Sequence, residues 1–142
     1  MKLSDEERIV VEGLEMDKAR SFMNEANITA NLGLWDLVLN RLYYSLFHAA
    51  TALLIHVEKS ASSHKGAIVQ FNKYFVKSGI ISHEMGHTYA MLQGLRERAD
   101  YNCKYQAKAE YVKPLIFSAK QLLTKIEELL LLEKSELPIG ED

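Results

Sequence analysis

The sequence predicts an all-α protein, and three observations predict it. The 142 residues include only two prolines and seven glycines. Apolar residues recur at three- and four-residue spacing, and no stretch alternates strictly between apolar and polar for more than a few residues. Five helices follow in order. The first begins after "LSDEE", where Ser4 and Glu7 have capping-box spacing, and runs to the "ANLG" stop at Gly33. The second covers about 34 to 58, and the polar stretch "KSASSH" separates it from a third that starts near His64 and stops at "KSG", with Gly79 as its C-cap. Ser82 is the expected N-cap of a fourth helix that continues to about Tyr101. A last helix, about 106 to 134, carries the apolar stripe Ile116, Ala119, Leu123, Ile126 and Leu130, and Pro114 is placed to kink it. The expected organisation is one domain over 1–134 and a loose, solvated tail over 135–142.

Composition narrows the function. Hydrophobic residues make up 48% and charged residues 25%, with 17 basic against 19 acidic side chains, which is a globular balance without a broadly basic surface. A chain of this length buries about 70% of its unfolded surface and needs no disulfide or metal to hold together. Cys103 is the sole cysteine, so an intramolecular disulfide and a cysteine-rich zinc site are both excluded, and a reducing cytoplasm is the expected setting. The charged start "MKLSDEERIVVEGLEMDKAR" lacks the apolar centre of a signal peptide, and "ELLLLE" is too short to span a bilayer, so no membrane association is expected.

Residues 83–87, "HEMGH", fit the H-E-x-x-H pattern of zinc peptidases, in which two histidines one turn apart hold the metal and the glutamate acts as base. At about 100° per residue, however, Met85, Tyr89, Leu92, Leu95 and Ala99 form the core face of that helix and His83 and His87 fall nearly opposite. The extended peptidase pattern requires Gly and His where this chain has Ala90 and Gln93, and Gly86 weakens the turn. Exposed surface histidines are the better reading. A zinc hydrolase through His83, Glu84 and His87 stays a remote alternative, and neither metal nor cofactor is expected.

The same helix holds a stronger clue. Arg96 and Asp100 project within about 60° of the centre of the apolar stripe, and burying such charges is costly unless they are paired. At i,i+4 they can pair with each other, which is a structural role; a polar site at a seam is the functional one. Helix two, "LVLNRLYYSLFHAATALLIH", is apolar nearly all round, and Asn40, Arg41, Tyr44, His48 and Thr51 line one edge, with Arg41 and His48 two turns and about 10 Å apart. A lone histidine there is usually a hydrogen-bonded core residue, but each polar group on so apolar a helix needs a partner. At "HKG" the helix-three amides with His64 and Lys65 could hold a phosphate, although most such helix starts are simply solvated.

Three blocks, "NRLYYSLFHAATALL" (Asn40 to Leu54), "HKGAIVQFNKYFVKSGII" (His64 to Ile81) and "LRERADY" (Leu95 to Tyr101), stand in an order and spacing that resembles the HEPN domain, of the bacterial and archaeal branch often found beside a minimal nucleotidyltransferase. The resemblance runs to about Glu128. It implies an up-and-down bundle of four to five helices that forms a homodimer with its polar site near the dimer seam. In ribonuclease members an Arg-x(4 to 6)-His motif cleaves RNA without metal, the arginine holding phosphate and the histidine moving protons, a division that suits a fixed charged fork and a group titrating near neutrality. Arg96 matches that arginine, but Tyr101 stands five residues later where histidine is expected, and a phenol with a pKa near 10 is a poor base. Arg41 and His48 have the motif's spacing on another helix.

Two functions follow as expectations. One is a homodimeric partner module that works with a nucleotidyltransferase in a toxin–antitoxin-like pair and binds nucleotide or RNA phosphates through Arg41, Asn40, Tyr44, Arg96, Asp100 and Lys65. The other is a metal-independent endoribonuclease using Arg96, His48 and Tyr101.

Overall fold

The computed structural model describes residues 2–139, and these are helical with no strand: α1 (Asp5–Asn31), α2 (Trp35–His56), α3 (His64–Phe71), α4 (His83–Tyr101) and α5 (Ala109–Leu130). The expected capping box opens α1. Ser4 Oγ accepts from the Glu7 amide at 3.1 Å, and the Glu7 carboxylate accepts from the Ser4 amide at 2.9 Å. Asp5, Glu6 and Glu7 in that first turn complement the positive end of the helix dipole. Ser63 and Ser82 cap α3 and α4 in the same manner, accepting from Gly66 and Met85.

α2 is the axis of the molecule. Leu39, Leu42, Tyr43, Leu46, Ala49, Ala50 and Leu53 are wholly buried, and all four other helices pack against it. Its longest contact is with α1, where Ala19 and Ala26 face it and Ser45 Oγ donates to the Ala19 carbonyl at 2.7 Å. The buried residues of α5, Val112, Leu115, Ala119, Leu122, Leu123, Ile126 and Leu129, close the core; Ile116 and Leu130 of the expected stripe stand at its margin. Pro114 lies within α5 at an exposed position.

Two helices end on the same hydrogen-bond pattern with different residues in the left-handed seat. After α1, Gly33 (φ +73°) donates to the Ala30 carbonyl and Leu34 to Thr29. After α2, Glu58 (φ +61°) donates to Ile55 and Lys59 to Leu54. Both are Schellman closures, which favour glycine because any Cβ is crowded there.

The structure departs from the sequence reading in three places. The third helix stops at Phe71 and passes into a π-helical turn, Asn72–Val76, closed by the Lys77 amide on the Asn72 carbonyl before Gly79 (φ +85°) reverses the chain. Gly86 answers to packing, because a Cβ there would lie 2.6 Å from Val76 Cγ2, so α4 and the π-turn meet at a distance only glycine permits. The last helix is shorter than expected at both ends. Asn102–Lys108 forms a loop tied to the start of α2 by the Ala107 amide on Asp36, and a 3-10 turn, Lys134–Glu136, carries Leu137 back into the core. Within the tail Leu137 is buried and Ile139 packs against the core, Ser135, Glu136 and Pro138 are exposed, and 140–142 lies outside the described residues.

Gly86→Ala is expected to cost about 1–3 kcal/mol in urea unfolding because the methyl group overpacks the Val76 contact. Leu137→Ala is expected to cost about 2 kcal/mol or more, whereas a solvated tail would show no change.

Candidate functional site

The apolar face of α4 turns polar over its last three turns, and those polar groups meet the aromatic edge of α2. The Arg96 side chain is 12% exposed, with its guanidinium carbon 4.7 Å from the centre of the Tyr43 ring and 5.6 Å from that of Tyr44. Its Nη1 donates to Asp100 Oδ2 at 3.0 Å, the i,i+4 pair that the spacing allows. Its Nε is buried without a hydrogen-bond partner, as are the Tyr89 hydroxyl and Gln93 Oε1 on the same helix. A buried polar atom left without a partner costs about 1–3 kcal/mol, so these three atoms within two turns are the least satisfied stretch of α4.

His64 joins this group from α3. Its Nδ1 lies 2.6 Å from the Tyr43 hydroxyl, and its ring is stacked on Phe47 at 4.3 Å between centres. Burial pushes the Tyr43 hydroxyl up to about 12 against the opposing effect of Arg96, so this phenol keeps its proton near neutrality and donates to His64. His64 then carries its proton on Nε2. Its pKa is held below the ordinary histidine value by burial first, then by the positive charge of Arg96. It is a neutral imidazole beside a fixed cation, with a hydrogen-bond donor still to place.

On the other side of the same aromatic edge, His48 Nδ1 lies 2.7 Å from Glu15 Oε2 and its ring is stacked with Phe22 of α1 at 5.6 Å. Since a carboxylate only accepts, Nδ1 donates, and in the neutral ring Nε2 is then the nitrogen with the free lone pair. Arg41 pairs with Glu25 at 3.1 Å and stands 5.4 Å from the Phe22 ring. Tyr44 links the two halves, packing against Phe22, Tyr43, Phe47 and His64.

Of the residues singled out by sequence, the fold therefore gathers Arg41, Tyr44, His48, Arg96 and Asp100 along one face. Asn40 is half-buried at its start, and the Thr51 hydroxyl is turned back onto the Phe47 carbonyl at 2.8 Å. Lys65 is exposed beside His64. Tyr101 is 83% exposed at the end of α4 and does not join the cluster. His83, Glu84 and His87 are exposed over a groove of about 630 Å³ against the π-turn, and among the described residues no group of three or more His, Cys, Asp or Glu could hold a metal ion. Two members of the cluster were not legible as such in the sequence. His64 stands out there only as part of a helix start that could hold a phosphate, with no sign of its contact with Tyr43, and Glu15 gives no signal because its partner lies 33 residues away on another helix.

Comparison with known proteins agrees with this fold. The HEPN domain model matches residues 14–129. A UPF0332 protein of Thermotoga maritima is 33% identical over 113 residues, covering 80% of this chain and 86% of its own length. Two putative toxins of Methanocaldococcus jannaschii are 26% and 30% identical, covering 82% and 79% of this chain and 79% and 83% of their own lengths. With an all-helical bundle whose three signature blocks meet around Arg96, and a family match over most of its length, this chain belongs to the HEPN domain family.

Proposed function

We propose that this protein is the toxin-like member of a two-protein system, a homodimer that binds nucleotide or RNA phosphates at Arg96 and acts together with a minimal nucleotidyltransferase. The observation that carries the reading is the state of Arg96. A guanidinium nearly enclosed by protein is anchored on one carboxylate and two aromatic rings, keeps an unmatched buried Nε, and lies beside a neutral histidine with its Nε2 proton to donate. A phosphate oxygen satisfies both groups, because arginine offers a planar fork and each hydrogen bond gains from the charge. Half-buried Tyr44, Phe47 and Phe22 supply faces on which a base can stack. Two Methanocaldococcus relatives bear the name putative toxin, which supports the toxin side of the reading. The nucleotidyltransferase and the homodimer rest on the family resemblance, and Lys65 would add charge at the rim.

A second reading, a metal-independent endoribonuclease, is favoured by the Glu15–His48 pair. A carboxylate holding Nδ1–H orients the imidazole and leaves Nε2 as a base, the arrangement that activates a hydroxyl nucleophile. In that reaction His48 would accept the proton of a ribose 2′-hydroxyl, whose oxygen would bond to phosphorus as the P–O5′ bond breaks, leaving a 2′,3′-cyclic phosphate and a 5′-oxygen that takes its proton from water; Arg96 would hold the phosphate and His64 would donate a hydrogen bond to it. Tyr101, the third expected member, is exposed at the end of α4 and is assigned no step in this scheme.

Titration with ATP and with a short single-stranded RNA tests the first reading. Arg96→Ala is expected to weaken binding about tenfold or more with an unchanged far-UV circular dichroism spectrum, and equal affinity would end it. RNA digestion in EDTA tests the second. His48→Ala is expected to lower the rate about 100-fold and Glu15→Gln by less, and equal cleavage by both variants and the parent would mark a contaminant. A pH titration followed by NMR should place the His64 midpoint below the ordinary 6.5 or so, and Arg96→Gln should move it back up. The sign for stability follows from the lowered value. Near and below the ordinary histidine pKa the unfolded chain binds the proton that folded His64 refuses, so this group's contribution is present at higher pH and is lost as pH falls through that range.

A further inference from the structure

A second cluster of cations lies at the end of the bundle where the N-terminus, the end of α2 and the 3-10 turn meet. Lys2, Arg8, Lys59 and Lys134 line a cleft of about 560 Å³ around one carboxylate, Glu58. Lys134 Nζ lies 2.7 Å from Glu58 Oε2, and Lys2 Nζ and Arg8 Nη1 both lie 3.5 Å from Oε1. Lys59 stands with its ammonium 4.8 Å from the centre of the Tyr74 ring. The opposing acids are Glu58 itself and Asp5, which holds Arg8 at 2.7 Å, with Glu12 adding a weaker field.

The backbone under Glu58 is the unusual feature. It is the left-handed seat of a Schellman closure that α1 fills with Gly33, and Glu58 is the one non-glycine residue with positive φ among the described residues. Nothing in helix termination asks for a carboxylate there. What the seat does is aim Glu58 into a ring of three cations, where a small tetrahedral or planar anion would sit. A neighbouring cleft of about 410 Å³ shares the lining residues Ile55, Lys59 and Ser60 with it and is lined further by Ser62, Ser63, Phe47 and His64. The two clefts adjoin and mark a path, or channel, from the Glu58 cations to the His64 side of the Arg96 cluster.

We propose that the Glu58 cleft is a second phosphate subsite, occupied in the free protein by the Glu58 carboxylate, and that it takes a backbone phosphate of a single-stranded polynucleotide whose chain passes the Ser60–Ser63 groove to reach Arg96. The inference rests on the phosphate reading of Arg96, since without that end the channel has no second anchor. It makes the ligand a strand, because a mononucleotide held at Arg96 has no further phosphate to place among Lys2, Arg8 and Lys134. Glu58 competes with the strand, and its carboxylate stays charged near neutrality because the Lys134 hydrogen bond, and then Lys134, Lys2 and Arg8 as charges, hold its pKa below the usual carboxylate range.

Fluorescence anisotropy of the full chain with a labelled 12-nucleotide single-stranded RNA, a DNA of the same sequence and AMP tests this over a range of salt. Lys2→Ala/Lys134→Ala, at two exposed side chains, is expected to weaken binding of the strand about tenfold and to reduce the log–log salt slope by about 0.7 for each phosphate no longer neutralised, with AMP unaffected. Glu58→Gly, which suits the backbone and removes the internal competitor, is expected to tighten strand binding about threefold or more. Glu6→Gln, the same charge change on an exposed side chain of α1's first turn, should do clearly less. Stronger binding of RNA than DNA would identify the 2′-hydroxyl as part of recognition, and equal binding a backbone-only track; either supports the subsite. The proposal is overturned if the double lysine variant binds the strand with parental affinity and slope, or if Glu58→Gly does no more than Glu6→Gln. If Arg96→Ala abolishes binding while the lysine variant changes nothing, the Arg96 reading stands and this one falls. A parent protein that binds AMP but no strand ends this proposal and leaves the nucleotide reading of Arg96 standing; one that binds neither ends both.

Discussion

Contact of α2 with all four other helices is the constraint from which the rest of this structure follows. A helix so surrounded leaves little solvent for most of its polar side chains, so they find partners in neighbouring elements. Ser45 finds the Ala19 carbonyl, Tyr43 finds His64, His48 finds Glu15, and His56 meets Glu12 on one nitrogen and the Leu132 carbonyl on the other. Each such bond adds only about 1 kcal/mol net, but leaving one unmade costs more than making it gains. The polar residues of α2 therefore act as addresses. They fix which turn of α1 lies against which turn of α2, where α3 begins, and where the chain comes to rest after α5.

α4 is less fully satisfied, with Tyr89, Gln93 and Arg96 each keeping a buried polar atom without a partner. Desolvating a guanidinium is expensive, and one carboxylate at i,i+4 with partial exposure offsets little of that, since such pairs contribute about 0.5 kcal/mol. The Tyr43 and Tyr44 rings add a cation–π contribution of about 1–2 kcal/mol, larger here than at an exposed site because the group is mostly out of water. These neighbours hold the charge in one place without matching all of its donors. A site that must recognise an anion needs such a residue, because a fully paired arginine would have to break bonds before binding.

The two Schellman closures show how helix ends, which are ordinarily matters of stability, can carry chemistry. Gly33 ends α1 without strain and presents nothing. Glu58 ends α2 with the same bonds and presents a carboxylate to Lys2, Arg8 and Lys134. Because the C-terminal end of a helix favours cations, the lysines and the arginine are stabilised there twice, by the dipole and by Glu58, and the cleft stays positive in spite of a net charge of −2 for the chain.

Local sequence determined the helices and most of their ends: the Ser4–Glu7 capping box, the Ser63 and Ser82 caps, the Gly33 and Gly79 turns, the apolar stripe of α5 and the placing of His83 and His87 in solvent. Those features depend on residues within one or two turns of each other, so periodicity and spacing read them. Periodicity also showed that Arg96 and Asp100 lie too near a core face and that Tyr44 and His48 share an edge. Only the tertiary structure decided what those groups meet. His64 and Arg96 are 32 positions apart and touch the same tyrosine, Glu15 reaches His48 from another helix, Val76 explains Gly86, and Leu137 is drawn in by the core. Tyr101, five residues from Arg96 and near it along the chain, points away because the helix ends there and its side chain has no wall to meet. Distance along the chain measures local energies; contact between helices depends on how whole faces pack, and no short window of sequence contains that.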